Sequence, residues 1–151
     1  YSSLYDIDTV CLRYFNVYSE DQKYGGPYST VISAWLNSIR NKNPLRLDGD
    51  GSQTRDFIHV DDIVSANIFC MNYISDFEGA VCDVGTGKSH TLSHIKQYFD
   101  NVFEVTWDLQ PSRVGDIKKS QADVTVLNNL GWDAQINLKT GLRRCIAHVR
   151  D

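Results

Sequence analysis

Apolar residues recur along this chain in two rhythms. Residues 8–15 (DTVCLRYF) form a β-rich run ending at Asn16 and predict a strand that leads into a loop. Residues 19–27 are polar and rich in Gly and Tyr, and predict that loop. From Ser29, the expected N-cap, Val31, Ile32, Trp35, Leu36 and Ile39 fall at helical spacing. Residues 45–47 predict a short strand, and DGDGSQ after them a hairpin-like turn. Phe57 to Val60 predicts another strand. A helix follows, capped by Asp61 or Asp62, with Ile63, Ala66, Ile68, Phe69 and Tyr73 on its apolar face. A strand over 81–84 ends in the turn Gly85-Thr86-Gly87, and a helix over 91–100 carries Leu92, Ile95 and Phe99. A strand over 103–107, an irregular stretch through Pro111 and Gly115, and helices near 122–130 and 138–149 complete the pattern.

Alternating strands and helices predict an α/β or α+β sheet protein, with no internal repeat and no linker in its 151 residues. A strand as apolar as 8–15 normally sits between two neighbours. Its place so near Tyr1 leads us to expect a fragment of a larger fold, with an open strand edge and an exposed apolar face that favour a homo-oligomer.

Composition narrows this picture only a little. Hydrophobic residues make up 42% and charged residues 23%, as in an ordinary globular domain. The net charge of −4 argues against nucleic acid as a partner, although it leaves room for one local basic pocket. No apolar run approaches the roughly 20 residues that span a bilayer, so no membrane partner is expected. The first residues, YSSLY, have neither the basic head nor the apolar core of a signal peptide. Cys11, Cys70, Cys82 and Cys145 are scattered without a C-x-x-C pair, which predicts buried thiols and a cytoplasmic protein.

Three short motifs invite chemistry and do not sustain it. GTGKS at 85–89 lacks the first glycine of a phosphate-binding G-x-x-x-x-G-K-[ST] loop, where Cys82 stands instead. In a calcium loop beginning at Asp48, Gln53 would fill the glycine position and His59 the closing glutamate. His90 and His94 have metal-pair spacing but no third ligand set by the sequence. The arginines are more informative. Arg46, Arg55 and Arg113 lie in loops or at strand ends, where a planar guanidinium fork suits phosphate oxygens. The alternatives are an internal Arg55–Asp56 ion pair and a solvated loop at Arg113.

Residues 12–18 (LRYFNVY) resemble the LRYFNVYG stretch of the extended short-chain dehydrogenase/reductases that act on nucleotide sugars. Residues 49–62 (GDGSQTRDFIHVDD) resemble that family's GDGxQTRDFxxVDD block, and residues 113–123 (RVGDIKKSQAD) its RxGDxxxSxAD segment. The order and separations also agree, over essentially the whole chain. The resemblance is nearest to UDP-glucose and UDP-N-acetylglucosamine 4-epimerases.

This resemblance implies the carboxy-terminal part of a Rossmann-type NAD-dependent epimerase: the last sheet strands plus a small α/β substrate-binding domain. Residues 1–151 would be a single substrate-binding region with the NAD-binding half absent. Asn16, Arg55 and Arg113 match residues on the nucleotide-sugar diphosphate, and Thr30, Val31 and Trp35 the helix that covers the nucleotide. Arg46 and Asp48 match positions beside uracil and ribose, Asp116 a ribose-binding aspartate, and Phe15 a residue beside the nicotinamide. The family's chemistry is transient oxidation by NAD, with a tyrosine base helped by a lysine and a serine or threonine. No G-x-x-G-x-x-G and no Y-x-x-x-K occurs in this chain, so it is expected to be inactive alone, with no catalytic residue and no NAD of its own. Ser19 and Asp21 replace the family's usual glycine and arginine. The same scaffold serves 4,6-dehydratases and decarboxylases. A stand-alone nucleotide-sugar binding module and a degenerate, functionless product are the other readings.

Overall fold

Strand and helix alternate as the hydrophobic pattern predicts. A computed structural model describes residues 2–26 and 29–150; Tyr1 and the end of the loop expected over 19–27 lie outside the described residues. The elements are α1 (Ser2–Tyr5), β1 (Cys11–Tyr14), β2 (Asn16–Tyr18), α2 (Val31–Arg40), β3 (Leu45–Asp48), β4 (Thr54–His59), α3 (Val60–Met71), β5 (Val81–Val84), β6 (Ser89–Thr91), α4 (Leu92–Asp100), β7 (Trp107–Gln110), α5 (Thr125–Leu130) and α6 (Leu138–Arg150). β1 pairs parallel with β5, from Cys11 opposite Val81 to Tyr14 opposite Val84. β2 pairs parallel with β4, whose first half pairs antiparallel with β6. β3 pairs parallel with β7.

The run expected as one strand over 8–15 therefore splits. Phe15 is the hinge: its amide donates to the Val84 carbonyl at 3.1 Å, after which Asn16 pairs with β4 instead of β5. β4 is the wall between two cores, because successive side chains on a strand point to opposite faces. Phe57 enters the core of α2, α4 and α6, with Trp35, Phe99 and Leu142. Ile58 enters the core of α3, β5 and α5, with Cys82, Leu127 and Trp132.

Several sequence expectations need correction. α2 is capped by Thr30 rather than Ser29, whose hydroxyl instead accepts from the amides of Gly25 and Gly26. His59, not Asp61 or Asp62, caps α3, and its ring nitrogen accepts from the Asp61 amide at 3.2 Å. Asp62 is used differently: its carboxylate accepts from the amides of Gln135 and Ile136 and ties that loop to the helix. Ile68 is 54% exposed rather than on the buried face of α3. The strand expected over 103–107 begins only at Trp107. Phe103 folds back onto α4, its amide bonding the Phe99 carbonyl at 2.9 Å, while Trp107 packs edge-on against Trp35. DGDGSQ is no hairpin, since β3 and β4 never pair; it crosses between two sheets. Gly49 and Gly51 take φ of +76° and +77° there, a backbone region in which glycine alone is unstrained. β6, only SHT, was not anticipated.

The cysteines also divide. Cys70, Cys82 and Cys145 are buried, but Cys11 is exposed on β1, and all four are free. Burial pushes the Cys145 thiol up to about 12. Because the thiolate is the reacting species, a thiol titration of the native protein is expected to count Cys11 alone, and all four after denaturation. Rapid native reaction of a second thiol would contradict this packing.

Helix α6 meets β2 at a tight crossing. A Cβ on Gly141 would sit 2.7 Å from Cζ of Tyr18, whose buried hydroxyl has no hydrogen-bond partner among the described residues. Gly141→Ala is thus expected to destabilise by about 2 kcal/mol through overpacking, despite alanine's better helix propensity. Tyr18→Phe, which removes an unsatisfied hydroxyl, should be neutral or stabilising by up to ~1 kcal/mol. A lowered urea midpoint for Tyr18→Phe would contradict the unsatisfied hydroxyl, and an unchanged or raised midpoint for Gly141→Ala would contradict the tight crossing.

Candidate functional site

Strand ends, one helix start and one loop meet around a cavity of about 640 Å³. The β1–β2 junction brings Phe15 and Asn16, and the start of α2 brings Thr30 and Val31. The end of β3 supplies Arg46 and Asp48, β4 supplies Arg55, and the loop after β7 supplies Arg113 and Asp116. Nine of the ten residues singled out in the sequence thus line one space. Trp35 does not. It is 1% exposed, lines only an adjoining cavity, and donates its indole N–H to the Arg46 carbonyl at 2.7 Å. Its place is beneath the site, holding β3.

The cavity's charges are paired across elements. Asp48 binds Nε of Arg46 at 2.8 Å through one oxygen and Nε of Arg113 at 3.1 Å through the other. Arg55 binds Asp116 at 2.7 Å and also donates to the carbonyls of Thr54 and Ile117. Arg46 and Arg113 are more than 60% exposed and so can turn to a ligand at little cost, whereas Arg55, 16% exposed, is anchored. Three guanidinium groups stand against two carboxylates. The amino end of α2, with its partial positive charge, opens on the same space. Asn16 donates to the Asp56 carbonyl at 2.9 Å, which fixes its amide at the rim.

The Arg55–Asp56 ion pair considered from the sequence does not form. Adjacent strand residues point oppositely, so Arg55 faces the cavity and Asp56 faces inward. Asp56 is fully buried and accepts from the amides of Thr86, Gly87 and Ala122 and from the Thr86 hydroxyl at 2.6 Å. The Gly85–Gly87 turn is therefore an anion cradle already filled by the protein's own carboxylate, the physical reason it serves no phosphate. Sequence reasoning missed this hub; a carboxylate directly before buried Phe57 and Ile58 was the available signal, since it must find donors. Also missed were Gln22 and Gln53, which line the cavity. Gln53 is buried and donates to the Asp48 carbonyl at 2.8 Å.

The other candidate motifs do not assemble a set of metal ligands among the described residues. Asp48 is committed to two arginines, and Asp50 accepts from the Ser52 amide at 2.9 Å. The His90 and His94 rings lie 5.6 Å apart, and no group of three metal-ligating side chains occurs among the described residues. No described helix is long and apolar enough to cross a membrane.

Parallel strand pairs, helices between them and a cationic cavity at strand ends define a Rossmann-type α/β protein. A model of the NAD dependent epimerase/dehydratase family matches residues 1–85. That is more than half of the chain, which belongs to this family. A candidate UDP-glucose 4-epimerase of Methanocaldococcus jannaschii is 33% identical over the whole chain, which covers 48% of that relative. The UDP-N-acetylglucosamine 4-epimerase of Methanobrevibacter ruminantium, solved with UDP-N-acetylmuramic acid, is 31% identical with a TM-score of 0.83, matching 97% of this chain and 48% of its own. The UDP-glucose 4-epimerase of Thermotoga maritima, solved with UDP-glucose, is 29% identical with a TM-score of 0.88, over 99% and 48%. The chain spans about half the length of the relatives it matches.

Proposed function

We propose that residues 1–151 form the substrate-binding region of an NAD-dependent nucleotide-sugar 4-epimerase and hold a UDP-sugar. The observation that carries this reading is the cluster of Arg46, Arg55 and Arg113 on one cavity of about 640 Å³, a size suited to a nucleotide-sized ligand. A diphosphate would exchange the Arg113–Asp48 contact for bidentate bonds to its oxygens while Arg55 grips from the β4 side. Asn16 adds its free amide hydrogen, and Thr30 and Val31 the helix start. Arg46, Asp48 and Asp116 flank the ribose and base, and Trp35 holds Arg46 in place. The UDP-sugars in the two solved relatives support uridine as the base.

NAD fits this chain poorly. The Gly85–Gly87 turn is closed by Asp56, so only Phe15, half-buried at the cavity, is assigned to the nicotinamide side. No catalytic residue is assigned, and binding without turnover is expected of the chain alone. Four free thiols support a cytoplasmic protein. The exposed apolar residues Leu4, Tyr5, Ile7, Val64, Ile68 and Met71 support association with another polypeptide surface, a second copy included.

Isothermal titration tests the reading. UDP should bind, uridine at least tenfold more weakly, and NAD not measurably. Equal binding of uridine and UDP, or no heat from UDP with a chain whose fold is verified by circular dichroism, would sink it.

A further inference from the structure

A second cavity, also about 640 Å³, lies between α4, α6 and the loops after β5 and α5. Phe57, 1% exposed, is the one side chain common to both cavities, so the ring forms the partition between them. The space continues between α4 and α6 into a groove of about 420 Å³ that shares Tyr98 and Lys139.

Its electrostatics differ from those of the first site. Lys88, His90, His94 and Lys139 line the cavity, Arg143 lines its extension, and no aspartate or glutamate lines either. In the first cavity each arginine has a carboxylate partner. No ion pair is formed by Lys88, Lys139 or Arg143 among the described residues. Overall charge does not explain this, since the chain carries −4. The buried carboxylates beside the cavity are already occupied, Asp56 by its own four donors and Asp62 by the amides of the lining residues Gln135 and Ile136. Under the cations the floor is apolar, built from Ile95, Leu138 and Leu142. Burial, and after it the neighbouring His94, hold the His90 imidazole below its ordinary range, so the ring is neutral at pH 7 and offers a hydrogen-bonding nitrogen.

Uncompensated cations above an apolar floor favour a ligand with the complementary division, an anionic head on an apolar body. Two lysine ammoniums from different elements, with Arg143 in the extension, suit a dianion better than a single carboxylate. We infer that this groove is a second binding site, for a small molecule that joins a phosphate monoester to an apolar body. It stands independently of the nucleotide-sugar reading, because it shares no charged residue with the first cavity.

Phenyl phosphate is the probe. The chain has four histidines, His59, His90, His94 and His148, whose imidazole resonances are resolvable by NMR. Phenyl phosphate should shift His90 and His94 saturably and leave His59 unmoved. Lys88→Ala with Lys139→Ala should weaken it at least tenfold; both side chains are exposed, and an unchanged amide spectrum verifies the fold. Phenol and benzoate should each bind at least tenfold more weakly than phenyl phosphate. Arg55→Ala with Arg113→Ala should leave the affinity within twofold, and excess UDP should not compete. Absence of a saturable shift, equal binding of phenol, or undiminished binding by the lysine variant overturns the site. Benzoate binding as tightly overturns the phosphate assignment, and loss in the arginine variant moves the ligand to the first cavity.

Discussion

Replacing Arg55 and Arg113 together by alanine is expected to weaken UDP binding at least a hundredfold. A hydrogen bond to a charged group contributes about 1.5–3 kcal/mol, and each 1.4 kcal/mol is tenfold in affinity. Each arginine also stops counterbalancing a carboxylate, since Asp48 and Asp116 would then repel the diphosphate. Arg55→Lys should rescue poorly, because an ammonium cannot reproduce the fork that bridges Asp116 and the carbonyls of Thr54 and Ile117. Arg13→Ala is the control. That side chain is bound to Asp83 at 2.6 Å and does not line the cavity, so UDP affinity should not change. Titration calorimetry at fixed salt reads all of these, and a loss below threefold in the double variant would remove the diphosphate clasp from the proposal.

Asp56→Ala is expected to be the most damaging single change to stability, about 4 kcal/mol or more. Three backbone amides and one hydroxyl lose their acceptor together, and each buried orphan costs about 1–3 kcal/mol. Against a total of roughly 5–15 kcal/mol for a domain, this leaves a marginal fold. Asp56→Asn should cost less, about 2–3 kcal/mol, because one oxygen remains while the amide faces donors. A fall in the urea midpoint at constant slope would report lost stability rather than a changed unfolded state. A cost under ~1 kcal/mol would mean that water replaces the carboxylate and that the hub is not structural.

The resemblance carried by LRYFNVY, GDGSQTRDFIHVDD and RVGDIKKSQAD was legible because it depends on residue identity in order along the chain. The family match over residues 1–85, with relatives aligned over the whole chain, bears it out. Periodicity placed α2, α4 and α6 to within a few residues, because their apolar stripes are long enough to define a face. It failed for β6, whose three polar residues have no hydrophobic signature and pair only because β4 lies beside them. It failed again at 103–107, where apolar residues pack onto α4 without joining a ladder. Cap positions slipped by one to three residues, since neighbouring polar side chains compete for the same amides and the choice is made by what else each can reach.

What the sequence by itself determined was the inventory: an alternating α/β chain, two glycine turns, and arginines outside the helix faces. Local spacing and chemistry suffice for these. Partnership was decided only by the tertiary structure. Strand alternation sent Arg55 to a cavity and Asp56 into the protein, and a parallel register brought Arg113 within 3.1 Å of Asp48. Trp35, read as part of a ligand cover, became the support under Arg46. The groove of Lys88, His90, His94 and Lys139 showed in the sequence only as a histidine pair, for its members come from separate elements. Contacts between residues distant in the chain follow from packing, and packing is settled by the whole core at once.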